Sequence, residues 1–134
     1  MIIGQGRFSC RNAQNLEGSF LLRRKESGGI LFETSVDFNF GWETGPLPSA
    51  PGFALHIGDP TGLSSGIVGA SATQTDFMRL AGSCGQVSGT YHAILPVRFD
   101  LSIFDTVILW CHASRRLLGV GAIDMALAEE NRFA

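Results

Sequence analysis

The sequence predicts an all-β fold, an antiparallel β-sandwich of seven to eight short strands with a short C-terminal helical turn. Three observations predict it. Ten Phe and 17 Gly stand beside a single Lys in 134 residues; aromatics suit a pleated surface and glycine supplies turn dihedrals. Hydrophobic residues make up 45% and charged residues 16%, so there is apolar surface to bury and the chain is not a solvated helical rod. Strand-like runs recur with turn signals between them, the pattern of a sandwich or small barrel. The length suits one domain spanning residues 1–134.

The clearest element runs from Ile30 to Phe40. Ile30, Phe32, Thr34, Val36, Phe38 and Phe40 alternate with Glu33, Ser35, Asp37 and Asn39, so a period of two gathers the aromatics on one face. Phe32, Val36, Phe38 and Phe40 are therefore expected between two sheets. Phe20 to Arg24 is a shorter strand, and Glu26-Ser27-Gly28-Gly29 turns it into the long one as a hairpin. Arg7 to Cys10 is read as an edge strand before it. Phe53 to Ile57 is a short strand among Gly- and Pro-rich loops. Thr61 to Ser71, rich in Gly and Ser, is read as an exposed connection. Further strands are expected at Phe77 to Leu80, Val87 to Leu95, Thr106 to His112 and Leu117 to Ala126. Asp124 to Arg132 supplies the terminal helical turn.

The net charge is −2 and the basic residues lie in scattered pairs such as Arg23-Arg24 and Arg115-Arg116, which argues against a nucleic-acid partner. No apolar run approaches the roughly 20 residues of a membrane-spanning helix. Met1 to Arg7 lacks a charged region followed by an apolar one, so no signal peptide is evident and the reading is cytoplasmic. No Asn-x-Ser/Thr acceptor occurs.

The three cysteines, Cys10, Cys84 and Cys111, form no C-x-x-C pair, which speaks against structural zinc. Their odd number leaves at least one thiol free or paired between chains; the alternative reading is that all three are small buried hydrophobes. His56, His92 and His112 could meet Cys84 or Cys111 at a soft metal, but nothing in their spacing brings them together, and no metal site is expected. Gly62-Leu63-Ser64-Ser65-Gly66 matches G-x-S-x-G, yet Ser64 lies in a Gly/Ser run without a helical pattern behind it, so a hydrolase elbow is rejected. Gly4-Gln5-Gly6 and Gly119-Val120-Gly121 lack the third glycine and the βαβ setting of a dinucleotide site. No cofactor motif is evident.

The most distinctive segment is Asp105-Thr106-Val107-Ile108-Leu109-Trp110-Cys111-His112. On a strand, Val107, Leu109 and Cys111 share one face, while Ile108, Trp110 and His112 share the other. Cys111 at the strand end is then either a semi-exposed thiol at the rim, open to redox exchange with Arg115 and Arg116 as nearby charge, or a core residue beneath the sheet.

Gly6-Arg7-Phe8, Leu16-Glu17-Gly18-Ser19-Phe20, Phe38 through Gly45-Pro46, Tyr91 to Pro96 and above all Phe104 to Cys111 resemble the DM13 domain. That family is an extracellular or periplasmic β-sandwich module often placed beside DOMON and cytochrome b561 domains. The resemblance spans about residues 6–126. It implies a redox or electron-transfer accessory domain in which Cys111, flanked by Trp110 and His112, is the functional cysteine, with a haem-containing redox partner protein. It also implies export or a periplasmic location, where Cys10 and Cys84 would pair and leave Cys111 as the odd thiol. The other reading of the same residues is a non-enzymatic ligand- or protein-binding sandwich with Cys111 packed in its core.

Overall fold

The computed structural model describes residues 1–11, 15–39, 51–79, 86–96, 99–112 and 115–125. Its elements begin with strands β1 (Ile2–Arg7), β2 (Ser9–Cys10), β3 (Asn15–Arg24), β4 (Ile30–Asn39) and β5 (Pro51–His56). They continue with helix α1 (Ser65–Thr75) and strands β6 (Asp76–Arg79), β7 (Gln86–Ile94), β8 (Thr106–Cys111) and β9 (Arg116–Ala122). One sheet has the order β1-β3-β4-β7 and the other β2-β9-β8-β5-β6. Every pairing is antiparallel, so the sequence-predicted sandwich is the fold observed.

Alternation builds the first sheet. On β3, Leu16, Phe20 and Leu22 point inward while Glu17, Ser19 and Arg23 point out, and β4 continues the pattern with Phe32, Thr34 and Val36 buried. The two strands pair from Arg24↔Ile30 to Asn15↔Asn39. Their turn closes through Gly28 N–H to the Lys25 carbonyl, 2.9 Å, with Gly28 at φ +95°, a conformation only glycine adopts without strain. Phe40, the Phe38 side chain and the residues of the expected terminal turn after Met125 lie outside the described residues.

Two differences from the sequence-based expectations concern the N-terminus and the connection after β5. Arg7 to Cys10 is not one edge strand. Arg7 ends β1 in the first sheet, Phe8 turns inward at 6% exposure, and Ser9–Cys10 pairs with β9 in the second sheet. The chain thus crosses between sheets at Phe8, which is why polar residues flank one buried ring. The expected exposed connection of Thr61 to Ser71 instead enters α1 at Ser65. The buried residues of that helix, Val68, Gly69, Ala72 and Thr75, fall on one face at helical spacing. Three of the four are small, so the apolar stripe is faint in the sequence.

The core lies between the sheets and is centred on aromatic contacts that join them: Phe32 of β4 meets Phe53 of β5 at 5.3 Å and Phe77 of β6 at 4.9 Å between ring centroids. A second apolar cluster covers the outer face of the five-stranded sheet. There Val68 and Ala72 of α1 pack on Ala54, Ile108, Trp110, Leu117 and Val120.

The glycine pairs of the sequence have a packing role. A Cβ on Gly121 would meet the Phe20 ring at 2.7 Å, one on Gly6 would collide with the same ring, and one on Gly119 would collide with Leu16. These positions let Phe20 and Leu16 fill the closed edge where β1 and β2 approach β9.

Candidate functional site

Strand β8 is buried along all six residues. The parity expected from the sequence holds: Val107, Leu109 and Cys111 belong to the inter-sheet core, and Ile108 and Trp110 to the cluster beneath α1. Both faces being covered, the end of β8 is no exposed rim. Cys111 has 0% exposure and is disulfide-bonded, which corrects the expectation of a semi-exposed thiol there. The expected Cys10–Cys84 pairing is likewise corrected, because Cys10 is an exposed thiol on the short edge strand β2; Cys84 lies outside the described residues.

His112 follows on the outer face. Its Nε2 is buried without a hydrogen-bond partner among the described residues and stands 3.9 Å from an Asp76 carboxylate oxygen. Burial holds the imidazole below its ordinary 6.5, Arg79 pushes the same way, and Asp76 opposes them. Asp76 is itself paired with Arg79 at 2.7 Å. His112 and Cys111 point to opposite faces, so the imidazole does not serve the sulfur.

The other histidines are elsewhere. His56 ends β5, with Nδ1 at 3.0 Å from the Ile57 carbonyl and 2.9 Å from that of Gly58; facing two acceptors, Nδ1 carries the proton and donates. His92 is exposed on β7 of the other sheet. Among the described residues no three His, Cys, Asp or Glu side chains gather as a metal site.

A groove opens instead beside Trp110, at the N-terminal end of α1, with a volume of about 420 Å³. This falls within the roughly 300–1,000 Å³ range of small-ligand sites. Its apolar lining comes from Leu63 and Val68, from Trp110 of β8 and from Leu117 of β9. Its charged lining is Arg11, Arg115 and Arg116, and no carboxylate lines it among the described residues.

A chain of local bonds holds the groove's walls. Asp59 accepts the Thr61 N–H at 2.8 Å and bonds the Thr61 hydroxyl, forming an Asx turn. Arg11 reaches across from the end of β2, its Nε at 2.7 Å from the Thr61 hydroxyl and one terminal nitrogen at 3.0 Å from Asp59. The Thr61 bonds, with Arg11 adding to them, hold the Asp59 carboxyl below its ordinary 3.8 against a smaller opposing effect of burial. From the other side, the Gly58 N–H donates to Asp105 at 2.7 Å.

Ser64 then caps α1, its hydroxyl accepting the Ile67 N–H at 3.3 Å. The helix that follows Ser64 is not legible in the sequence. A nucleophile elbow is still excluded, since eight residues separate β5 from the helix and the preceding sheet is antiparallel. Gly69 brings the helix close: a Cβ there would stand 3.2 Å from the Trp110 ring and 3.8 Å from an Arg115 guanidinium nitrogen. Arg115 sits in the β8–β9 turn at φ 56°, unusual for a non-glycine residue. It is on the helix side of the sheet, away from Cys111.

Sequence reasoning finds Trp110 but not the groove. Arg11, Leu63 and Val68 are far apart in the chain, and only the sheet crossover and the helix bring them together. Compared with family models, curated proteins and solved structures, the chain matches none.

Proposed function

We propose that the protein is a non-enzymatic binding module in which Cys111 is structural and the groove beside Trp110 takes a small ligand. The observation that carries this reading is the division of faces on β8, where the cysteine is sealed in the inter-sheet core and Trp110, 2% exposed on the other face, forms the floor of the groove. Thiol–disulfide exchange requires a thiolate to reach a sulfur, and a cystine half with no accessible surface offers no such approach. This weighs against the redox role and the haem-containing partner that the DM13 resemblance implies. The disulfide supports the other part of that resemblance, action in an oxidising compartment outside the cytoplasm. No helix among the described residues is long and apolar enough to cross a membrane.

Leu63→Trp tests the groove. Leu63 is 50% exposed, so a larger ring there fills the cavity without entering the core. In a ligand-observed NMR screen of fragments, hits on the native chain should disappear with this variant and survive Cys10→Ser. Hits that persist unchanged in Leu63→Trp would place binding elsewhere and remove this reading.

A further inference from the structure

Resting on that reading, we propose that the groove selects organic oxyanions, molecules with an apolar body and a carboxylate or phosphate head, and that Arg115 is the residue that recognises the head. The groove has two chemically distinct kinds of lining. Trp110, Val68 and Leu117 belong to the apolar cluster under α1 and form a buried floor, and Leu63, 50% exposed, adds the open apolar surface against which a ring or short alkyl chain can rest. The charged lining is made of guanidiniums, and no carboxylate among the described residues lines the cavity to neutralise them.

The arginines differ in how much of their charge is spoken for. Arg11 is committed to Asp59, Thr61 and the Cys10 carbonyl. Arg116 already has a partner within the protein. Arg115 makes no hydrogen bond or ion pair among the described residues, and one of its terminal nitrogens lies over Gly69, on the same side of the helix as the Trp110 ring. A guanidinium presents a planar fork of donors that matches a carboxylate or phosphate edge, so an anion here gains paired, charge-assisted bonds. The first turn of α1 contains no acidic residue, so the helix end adds potential of the same sign. A cation would meet three arginines, and a neutral ligand would leave Arg115 as it is. Arg115 stands in the turn outside the β8–β9 ladder, whose pairing begins at Cys111↔Arg116, with its backbone at φ 56°.

Isothermal titration of the full chain with 4-phenylbutyrate, phenyl phosphate, 4-phenylbutyramide and 4-phenylbutylamine tests this. Either or both anions should bind at least about tenfold more tightly than the amide, with affinity falling as salt rises. The amine should bind most weakly. Arg115→Gln should remove the preference, bringing the anions to the affinity of the amide in the same variant, while Arg115→Lys should retain part of it. Arg115 is exposed in a turn, so neither variant threatens folding, and an unchanged melting temperature checks that. Amide and anions binding equally, with all binding lost in Leu63→Trp, would overturn the anion selectivity and leave the groove standing. An anion preference that survives in Arg115→Gln would likewise overturn the assignment of the head group to Arg115 while the groove stands. Failure of every probe to bind, or binding insensitive to Leu63→Trp, would overturn the inference and the groove together.

Discussion

Phe32→Ala probes the joint between the two sheets. Phe32 is 0% exposed and its ring meets Phe20 at 5.8 Å, Phe53 at 5.3 Å and Phe77 at 4.9 Å, so it touches both layers of the sandwich. Truncating a buried Phe to Ala costs about 3–5 kcal/mol once the cavity is counted, and each aromatic pair adds about 0.5–1.5 kcal/mol beyond area burial. Three ring partners place Phe32 toward the upper end of that range. Against a domain stability of about 5–15 kcal/mol, a loss of about 3–5 kcal/mol is a fifth of the total or more. For a 134-residue chain it corresponds to a melting point lower by about 10–18 °C. Urea unfolding followed by far-UV circular dichroism measures it: the midpoint should fall while the slope stays the same. A loss below about 1 kcal/mol, the range of surface substitutions, would refute the assignment of this face to the core.

Two glycines of one helix should respond with opposite signs. Gly66 has nothing nearer than the Ser64 hydroxyl at 4.0 Å, so Gly66→Ala should stabilise by about 0.5–1 kcal/mol. Gly69→Leu should destabilise by about 1–3 kcal/mol through overpacking on Trp110, and equal effects at both sites would show that α1 does not rest on that ring. Gly121→Ala drives a methyl to within 2.7 Å of Phe20, and thermal melting should show a clear loss where an ordinary strand Gly→Ala would gain. Acidification should lower stability in two stages. His112 has a folded pKa below its ordinary 6.5, so below that pH the unfolded chain takes up a proton that the native state resists, and stability falls. Asp59 and Asp105 are held below 3.8, so their contribution is present above that value and is lost as the pH drops through their folded pKa values. Urea midpoints from pH 8 to 3 check both stages; His112→Gln should flatten the first alone, and a slope unchanged in that variant would reject the assignment.

What is legible in the sequence depends on side-chain contrast. β4 is readable because large apolar residues alternate with charged ones, and the parity of β8 follows once it is taken as a strand. Where small residues carry the packing, the contrast vanishes. α1 buries Gly69, Ala72 and Thr75, residues suited to close approach to the sheet rather than to hydrophobicity, so its period resembles a loop. The same cause hides the purpose of Gly6, Gly119 and Gly121, which as a sequence only fail to complete a dinucleotide-site pattern and prove to be vacated space for Phe20 and Leu16. β1 is hidden because Gly4 and Gly6 interrupt its alternation, and the crossover at Phe8 makes two short strands look like one. Trp110-Cys111 stands out in the sequence, but a strand's residues do not tell whether one or both of its faces are covered. The opposite sheet seals Cys111 on the inner face, and the helix on the outer face covers Trp110 and makes it part of the groove lining.

The division of roles on β8 is tested most directly by the state of Cys111 in the native protein. The chain, never exposed to reductant, is treated with iodoacetamide at neutral pH, digested under acid and mapped by mass spectrometry. Cys10, the exposed thiol, should be alkylated, while Cys111 should stay unmodified and be recovered crosslinked. Alkylated Cys111 in the folded chain would contradict a structural cystine and restore the redox reading of this residue.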